Sequence, residues 1–288
     1  MPPLFGVSTH LFHGERLDRE HLVEVAAHGF DAVEVFATRT HFDYHDPAAV
    51  AALAEWLDDT RLTLHSMHAP VTAGFVNGVW GDTYSTAIAD EARRERTVAE
   101  IRQVLEVAKV IPYSHLVVHL GVPLVQRPAA NDNHVNAARR TLETLESLAA
   151  AAGVAVALEV IPNPLSTPET LVSLLEDALE SRAFGICLDV GHAFLMGDVV
   201  DAVETCSGHI TTTHLHDNDG RDDAHLVPWS GGIDWEAAVL ALQKVGYDGA
   251  WIFEVAATAP PPTVLERTAR AKARLERLLG LNDEMLNS

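Results

Sequence analysis

The sequence predicts a single α/β domain over residues 1–288, a (β/α)8 TIM barrel of parallel strands with a metal site at its C-terminal face. Three observations carry this. Short runs rich in Val, Ile, Leu and aromatic residues alternate eight times with helix-patterned stretches, the signature of a parallel sheet closed on itself. No Pro- or Ser-rich linker divides the chain. Six consecutive strands also end on His, Asp or Glu, at the end where a barrel gathers its chemistry.

The first apolar run, 4–8, opens the barrel. Leu17, Leu22, Val25 and Ala26 have helical spacing, and the pattern stops at Gly29, a C-terminal cap. Residues 31–36 alternate and are rich in Val, which makes them strand two. Asp46 is the expected N-cap, and Pro47 the first residue, of a helix to about Asp58. Strand three is 61–68.

Residues 69–90 break the rhythm with Pro70, Gly74, Gly78 and Gly81 among Phe75, Trp80 and Tyr84. An aromatic loop at the C-terminal end of a barrel strand is either a wall over the substrate or a packed insertion.

A long amphipathic helix follows over 91–110, then strand four at 115–121. A helix over 131–152 stops at Gly153, and 154–160, apolar almost throughout, is strand five, covered on both faces. Thr167, Pro168 and Glu169 start a helix to about Glu180; 184–190 is strand six and 198–205 a short helix. Strand seven is 209–216, the next helix runs from Asp234 to Val245, and strand eight is 249–255. A last helix follows Pro260–Pro262 and ends near Gly280.

Hydrophobic residues at 48% and charged residues at 21% suit a soluble protein with a sizeable core. No apolar run approaches the roughly 20 residues that span a bilayer, so no membrane partner is expected. The N-terminal stretch lacks the basic and long apolar regions of a signal peptide. Cys187 and Cys206 are too few for a disulfide framework, and a cytoplasmic location is expected. Lys and Arg number 20 against 41 Asp and Glu, a net charge of −21. Binding to nucleic acid rests on neutralising phosphates, so this field disfavours nucleic acid as a partner. A homo-oligomer is left open.

The strand ends hold the most information. Strand three offers His68, strand four His119, strand five Glu159, and strand six Asp189 with His192 just beyond. Strand seven offers His214, its loop Asp223 and His225, and strand eight Glu254. One such residue is ordinarily a satisfied core or surface group; nine at matching depth are hard to place that way. Carboxylates crowded together raise one another's pKa, and divalent cations remove that cost. Imidazole with carboxylate suits Zn, Mn, Co or Fe(II). Of the neighbouring residues, Glu34 reads as a buried, paired carboxylate, and His65, three before His68, as facing the other way. His216 is either a ligand or the partner of one, and Cys187 is a small core residue. His10 and Trp229 lie on loops at the active face.

Taken as a set, HAP at 68–70, VVHLG at 117–121, ALEV at 157–160, CLDVGH at 187–192, HLHDN at 214–218, DAH at 223–225 and FEV at 253–255 resemble the xylose-isomerase-like barrel superfamily. It includes sugar and sugar-phosphate isomerases and epimerases, and apurinic/apyrimidinic endonucleases of the endonuclease IV type (AP endonuclease family 2). In the epimerase branch the resemblance implies one divalent ion on Glu159, Asp189, His214 and Glu254. The two glutamates there exchange a proton with a carbon next to a carbonyl, and His192 assists with substrate. An Arg six residues past the metal-binding His is common in that branch; here Gly220 stands there with Arg221 beside it. In the endonuclease branch the resemblance implies three zinc ions. His68, His119 and Glu159 hold the first, Glu159, Asp189, His214 and Glu254 the second, and His192, Asp223 and His225 the third.

Two features weigh against DNA. The loops after strands one and two offer only Arg16 and Arg39, where a duplex needs several phosphate contacts. PWSGG at 228–232 also departs from the Pro-Gly-acidic-Gly run usual in relatives. The expected protein is therefore a metal-dependent isomerase or epimerase of a small carbohydrate, with one to three Zn or Mn ions per chain. Its expected catalytic residues are Glu159, Glu254 and His192, and its expected substrate contacts His10, Trp80, Arg221 and Trp229. The alternative is a multinuclear zinc hydrolase of small phosphate esters. Basic residues near the mouth, Arg39, Arg127 and Arg221, are few, which favours a neutral substrate.

Overall fold

The computed structural model describes residues 3–178 and 183–281. The elements run in the order β1 (Phe5–Ser8), α1 (Arg19–Ala27), β2 (Ala32–Phe36), α2 (Pro47–Thr60), β3 (Thr63–His68), β4 (Phe75–Val76), β5 (Val79–Trp80), α3 (Glu91–Glu106), β6 (His115–His119) and α4 (Val135–Ala152). They continue with β7 (Ala155–Glu159), α5 (Pro168–Ala178), β8 (Phe184–Asp189), α6 (Val190–Met196), α7 (Val199–Thr205), β9 (Ile210–Leu215), α8 (Trp235–Lys244), β10 (Ala250–Phe253) and α9 (Pro261–Leu278). Eight parallel strands close into one barrel, β1-β10-β9-β8-β7-β6-β3-β2, and β4 with β5 forms a separate antiparallel hairpin. The eight expected strand–helix units are all present.

Local chemistry sets the helix boundaries. Asp46 Oδ1 accepts from Ala48 N at 2.9 Å and Pro47 fills the first turn, as expected of an N-cap followed by proline. Asp18 caps α1, whose first residue, Arg19, lies two residues inside the expected start at Leu17. The expected helix from 131 begins only at Val135, because Asn133 is tied to the loop after β6: its side chain accepts from Val122 N at 2.7 Å and donates to Val122 O at 2.9 Å. The last two residues expected in α5, 179 and 180, lie outside the described residues. One helix was not anticipated. Residues 190–196 form α6, capped by Asp189, whose Oδ1 accepts from His192 N at 2.7 Å. The strand end and the helix cap are the same side chain.

Alternation along each strand splits the core in two. Outward-facing Leu116, Val118, Val156, Leu158, Ile186 and Leu188 pack under the helices with Leu22, Leu53, Leu142 and Trp235, all buried. Inside, Val117, Ala157 and Cys187 form a small apolar layer. Cys187 is thus the expected core residue, with its thiol pKa raised by burial. The polar side chains stand above that layer.

His65 departs from expectation. Glu34 pairs with Ser66 while Val33 pairs with Leu64, so His65 is skipped; a β-bulge there lets successive side chains share a face. His65 points across the barrel, with Nε2 3.2 Å from Thr212 Oγ1. Among the described residues no helix is long and apolar enough to cross a membrane.

Candidate metal centre

All nine expected donors gather at the C-terminal mouth, in three sets: His68, His119 and Glu159; Glu159, Asp189, His214 and Glu254; and His192, His216, Asp223 and His225. Within each set, one ligand atom per residue lies within 4.8 Å of all the others. Glu159 belongs to two sets. His216, left open by the sequence, joins the third.

The strands place these groups by register. Glu159 ends β7 opposite His119 of β6, and Asp189 ends β8 opposite His214 of β9. Glu254 follows β10, its N–H bonded to Leu215 O at 3.2 Å. Glu159 is fully buried. One oxygen lies 3.1 Å from His68 Nε2 and 3.0 Å from His119 Nε2, and the other 3.3 Å from His214 Nδ1. His214 Nδ1 is also 3.3 Å from Glu254 Oε2.

Glu34 behaves as the paired carboxylate expected of it. It accepts from Ser8 Oγ at 3.0 Å, Ser66 Oγ at 2.8 Å and His214 Nε2 at 3.0 Å. His214 therefore spends its proton on Glu34 and presents a lone pair at Nδ1, the arrangement that orients and strengthens a metal-binding imidazole.

Three other rings show the same logic. His68 Nδ1 lies 2.8 Å from Ala69 O, His192 Nδ1 3.2 Å from Val160 O, and His225 Nδ1 2.9 Å from Glu254 O. A carbonyl only accepts, so each Nδ1 carries hydrogen and the opposite Nε2 of the neutral ring is a lone pair. These lone pairs face carboxylates: His68 toward Glu159 at 3.1 Å, His192 toward Asp223 at 3.1 Å, and His225 toward Asp223 at 3.3 Å. Acceptor facing acceptor requires a cation between them, either a proton or a metal ion.

In the protein alone, protons fill that role. Burial lowers the pKa of His225, but the adjacent Asp223 outweighs it and brings it up to about 9. Burial by itself raises the pKa of Asp223, yet the imidazoles of His192 and His225 hold its carboxyl well below the usual range. The donor set of nitrogen and oxygen, its spacing and its tautomers all fit a divalent ion.

The cavity above has a volume of about 550 Å³ and is lined by His10, Phe36, His68, Thr72, Trp80, His119, His192, Asp223, His225 and Glu254, among others. Glu254 lines it; Glu159, Asp189 and His214 lie beneath. Among the described residues, no Arg or Lys lines it.

Two expected substrate contacts, His10 and Trp80, are in the lining, and two are not. Arg221 is exposed on its loop. Trp229 packs against Trp235 at 5.7 Å under the Arg274 guanidinium, 4.0 Å above its ring, and donates Nε1–H to Glu236. Its partner on α9 is far away in sequence, so no local pattern reveals this packing.

His13 was missed. Its ring stacks on Trp80 at 5.0 Å and on His10 at 4.7 Å, tying the β4–β5 hairpin to the mouth. Its spacing of three from His10 on a short turn was the available signal. Residues 69–90 are thus a wall of the cavity rather than a remote insertion, through Val71, Thr72, Trp80, Gly81 and Thr83.

Fold and site define a closed β/α barrel whose strand ends present overlapping sets of metal-ligand side chains. The chain belongs to the family described as the xylose isomerase-like TIM barrel, whose model matches residues 22–278. An uncharacterized protein of Methanocaldococcus jannaschii is 31% identical over 256 residues, 85% of this chain and 81% of that protein. The crystal structure of a D-tagatose 3-epimerase-like protein is similar over 98% of this chain and 99% of its own, with 28% identity and a TM-score of 0.78. The structure of the IolI protein with a bound zinc atom shares the fold, at 17% identity and TM-score 0.76 over 94% of this chain and 97% of that one.

Proposed function

We propose that the protein is a divalent-metal-dependent epimerase or isomerase of a small, unphosphorylated ketose. One observation carries this reading: the oxygen-rich set of Glu159, Asp189, His214 and Glu254 lies directly beneath a cavity lined by Glu254 and by aromatic rings but, among the described residues, by no Arg or Lys. A phosphorylated substrate calls for cationic side chains or helix N-termini. The 28% identity to a D-tagatose 3-epimerase-like protein over nearly all of both chains supports the sugar class. The zinc bound by the IolI protein, which shares the fold, supports a metal.

A divalent ion on Glu159, Asp189, His214 and Glu254 supplies Lewis acidity that acidifies a carbon next to a substrate carbonyl. The chain's own residues do the rest. Glu254, the carboxylate of the set that lines the cavity, takes the proton from that carbon. Glu159, the second glutamate, returns one, its Oε2 held between His68 and His119. His192, in the lining and anchored to Val160 O, positions substrate oxygens. Trp80, Phe36 and His10 cover the apolar face of the sugar and exclude water from it.

Hydrolysis of a small phosphate ester is the second reading, favoured by the three overlapping donor sets, because clustered ions stabilise both attacking and leaving oxygens. The cation-free lining argues against it.

The test is interconversion of free ketohexoses and ketopentoses by Mn-loaded protein, beside the same sugars as phosphates. Turnover of a free ketose, lost by at least about 100-fold in Glu254→Gln, as expected for removal of a general base, is the predicted result. Release of phosphate from the esters with no epimer formed from any free sugar would overturn the reading.

A further inference from the structure

We propose that His13 is the positioning residue of the substrate wall: its ring is a fixed platform on which Trp80 stacks, and this contact holds the wall against the cavity. The effect on turnover rests on the ketose reading; the contact itself does not.

The wall is a ribbon with open space on both flanks. Tyr84 N–H bonds to Val71 O at 2.9 Å, Ala73 N–H to Asp82 O at 2.9 Å and Gly81 N–H to Gly74 O at 2.8 Å, and the ladder continues into β4 and β5. One flank lines the large cavity through Val71, Thr72, Gly81 and Thr83. The other borders a second cleft of about 230 Å³, with Ala73, Asp82 and Tyr84 on the ribbon side and Arg93 and Arg96 of α3 opposite. Thr83 borders both. Close packing holds most elements of a fold in place, and a two-stranded hairpin is marginal without it. With a cleft behind it, this ribbon is placed by its contacts on the cavity side.

Among the described residues, Thr40 and His13 supply the close ones. Phe75 N–H donates to Thr40 Oγ1 at 2.9 Å, which fixes the backbone at the start of β4. Trp80 lies on His13 with ring centres 5.0 Å apart and planes 17° from parallel, and Phe75 meets the same ring edge-on at 4.8 Å. Phe36 is more distant from the indole, at 6.5 Å and 70°.

His13 is a platform because the turn after β1 locks it. Its Nδ1–H donates to His10 O at 2.7 Å, and its ring stacks on His10 at 4.7 Å. His10 is packed in turn against Phe36 at 5.1 Å and His225 at 5.0 Å. The ring on the barrel side is therefore fixed, while the indole on the ribbon side is 45% exposed. A contact of this kind works as a latch, and one aromatic pair biases a closed position about 2- to 10-fold.

The test has two readouts on the Mn-loaded full chain: hydrogen exchange followed by mass spectrometry over residues 71–84, and steady-state kinetics with a free ketose. In His13→Ala the exchange of 71–84 should quicken about 2- to 10-fold, the range of one lost aromatic pair, with α3 unchanged. His13→Tyr, which keeps an aromatic platform, should restore it. Trp80→Ala removes the other half of the pair and should give the same quickening, so the result stands even if His13→Ala fails to fold. In kinetics, His13→Ala should raise KM as much as Trp80→Ala does with kcat unchanged, and the double variant should be no worse, because both changes break one contact. Exchange over 71–84 that is unchanged in His13→Ala and Trp80→Ala, or KM effects that add in full, would overturn the proposal. If no ketose is turned over by the wild type, the ketose reading fails and the exchange experiment alone decides the latch.

Discussion

Glu34 touches none of the cavity, yet it should control metal affinity. Its Oε2 accepts from both Ser66 and His214 Nε2, and its Oε1 from Ser8. In Glu34→Gln the amide oxygen can take the Oε2 position and keep both partners there, while the NH2 donates to the Ser8 hydroxyl. Only the charge is lost, so His214 becomes a weaker base with its orientation intact. Changes to such orienting partners weaken metal binding about 10- to 100-fold, and the Gln variant should sit at the lower end, about 1.4 kcal/mol.

Glu34→Ala removes acceptors from three buried donors at once. At about 1 kcal/mol or more for each unsatisfied donor, it should cost at least about 3 kcal/mol of stability and push the loss of metal affinity toward about 100-fold. Calorimetric titration of chelator-stripped protein with Mn²⁺ gives the affinities, and urea unfolding gives the stabilities. If Gln and Ala both bind Mn²⁺ as tightly as the wild type, His214 is not held for metal by Glu34 and the account of its tautomer is wrong.

Two further predictions follow from single side chains. Trp80 is 45% exposed at the open end of the hairpin, opposite Phe75, and stacks on His13, so Trp80→Ala should leave the melting temperature nearly unchanged and raise KM by about 5- to 10-fold, the range of one lost aromatic contact; an unchanged KM would remove Trp80 from the substrate wall. Burial lowers the pKa of His41 to about 4 against 6.5 in the unfolded chain. Its Nδ1–H donates to Glu15 O at 2.7 Å, and its Nε2 is buried without a partner. The unfolded chain then binds the extra proton between pH 6.5 and 4, so stability is full above 6.5 and is lost on acidification, by about 2 kcal/mol at pH 5. His41→Asn, which can keep a donor to Glu15 O, should lack that loss when unfolding is compared at pH 7 and pH 5, and an equal loss in both proteins would refute the assignment.

The barrel was legible because its signals are local. Each strand is a short run, and six of the eight carry a donor at or beside the C-terminal end, while capping residues such as Asp46 declare themselves within one turn. The failures share a different physical origin. His65 turns inward because a bulge is a relation between β2 and β3, and the period-2 rule holds only along an unbroken pairing. The sequence predicts strand six to Val190 and no element over 191–196, but Asp189 ends the strand and caps a helix at once. Trp229 is drawn from the mouth by Arg274, a residue on another helix. The nine donors could be listed from the sequence, and the family resemblance already implies their division into three sets with Glu159 shared; the inclusion of His216 depends on distances between strands. The recession of Glu159 beneath His68 and His119, with Glu254 alone of the two glutamates lining the cavity, is likewise a property of the assembled mouth.

The central claim is proton transfer at carbon, and solvent isotope exchange reads it directly. Metal-loaded protein is incubated with a free ketose in deuterium oxide, and the carbon-bound hydrogens beside the carbonyl are followed by proton NMR. The account predicts loss of one such signal in the wild type, none after chelation, and none in Glu254→Gln. Epimer formed without deuterium at that carbon, or exchange that persists in Glu254→Gln, would contradict it.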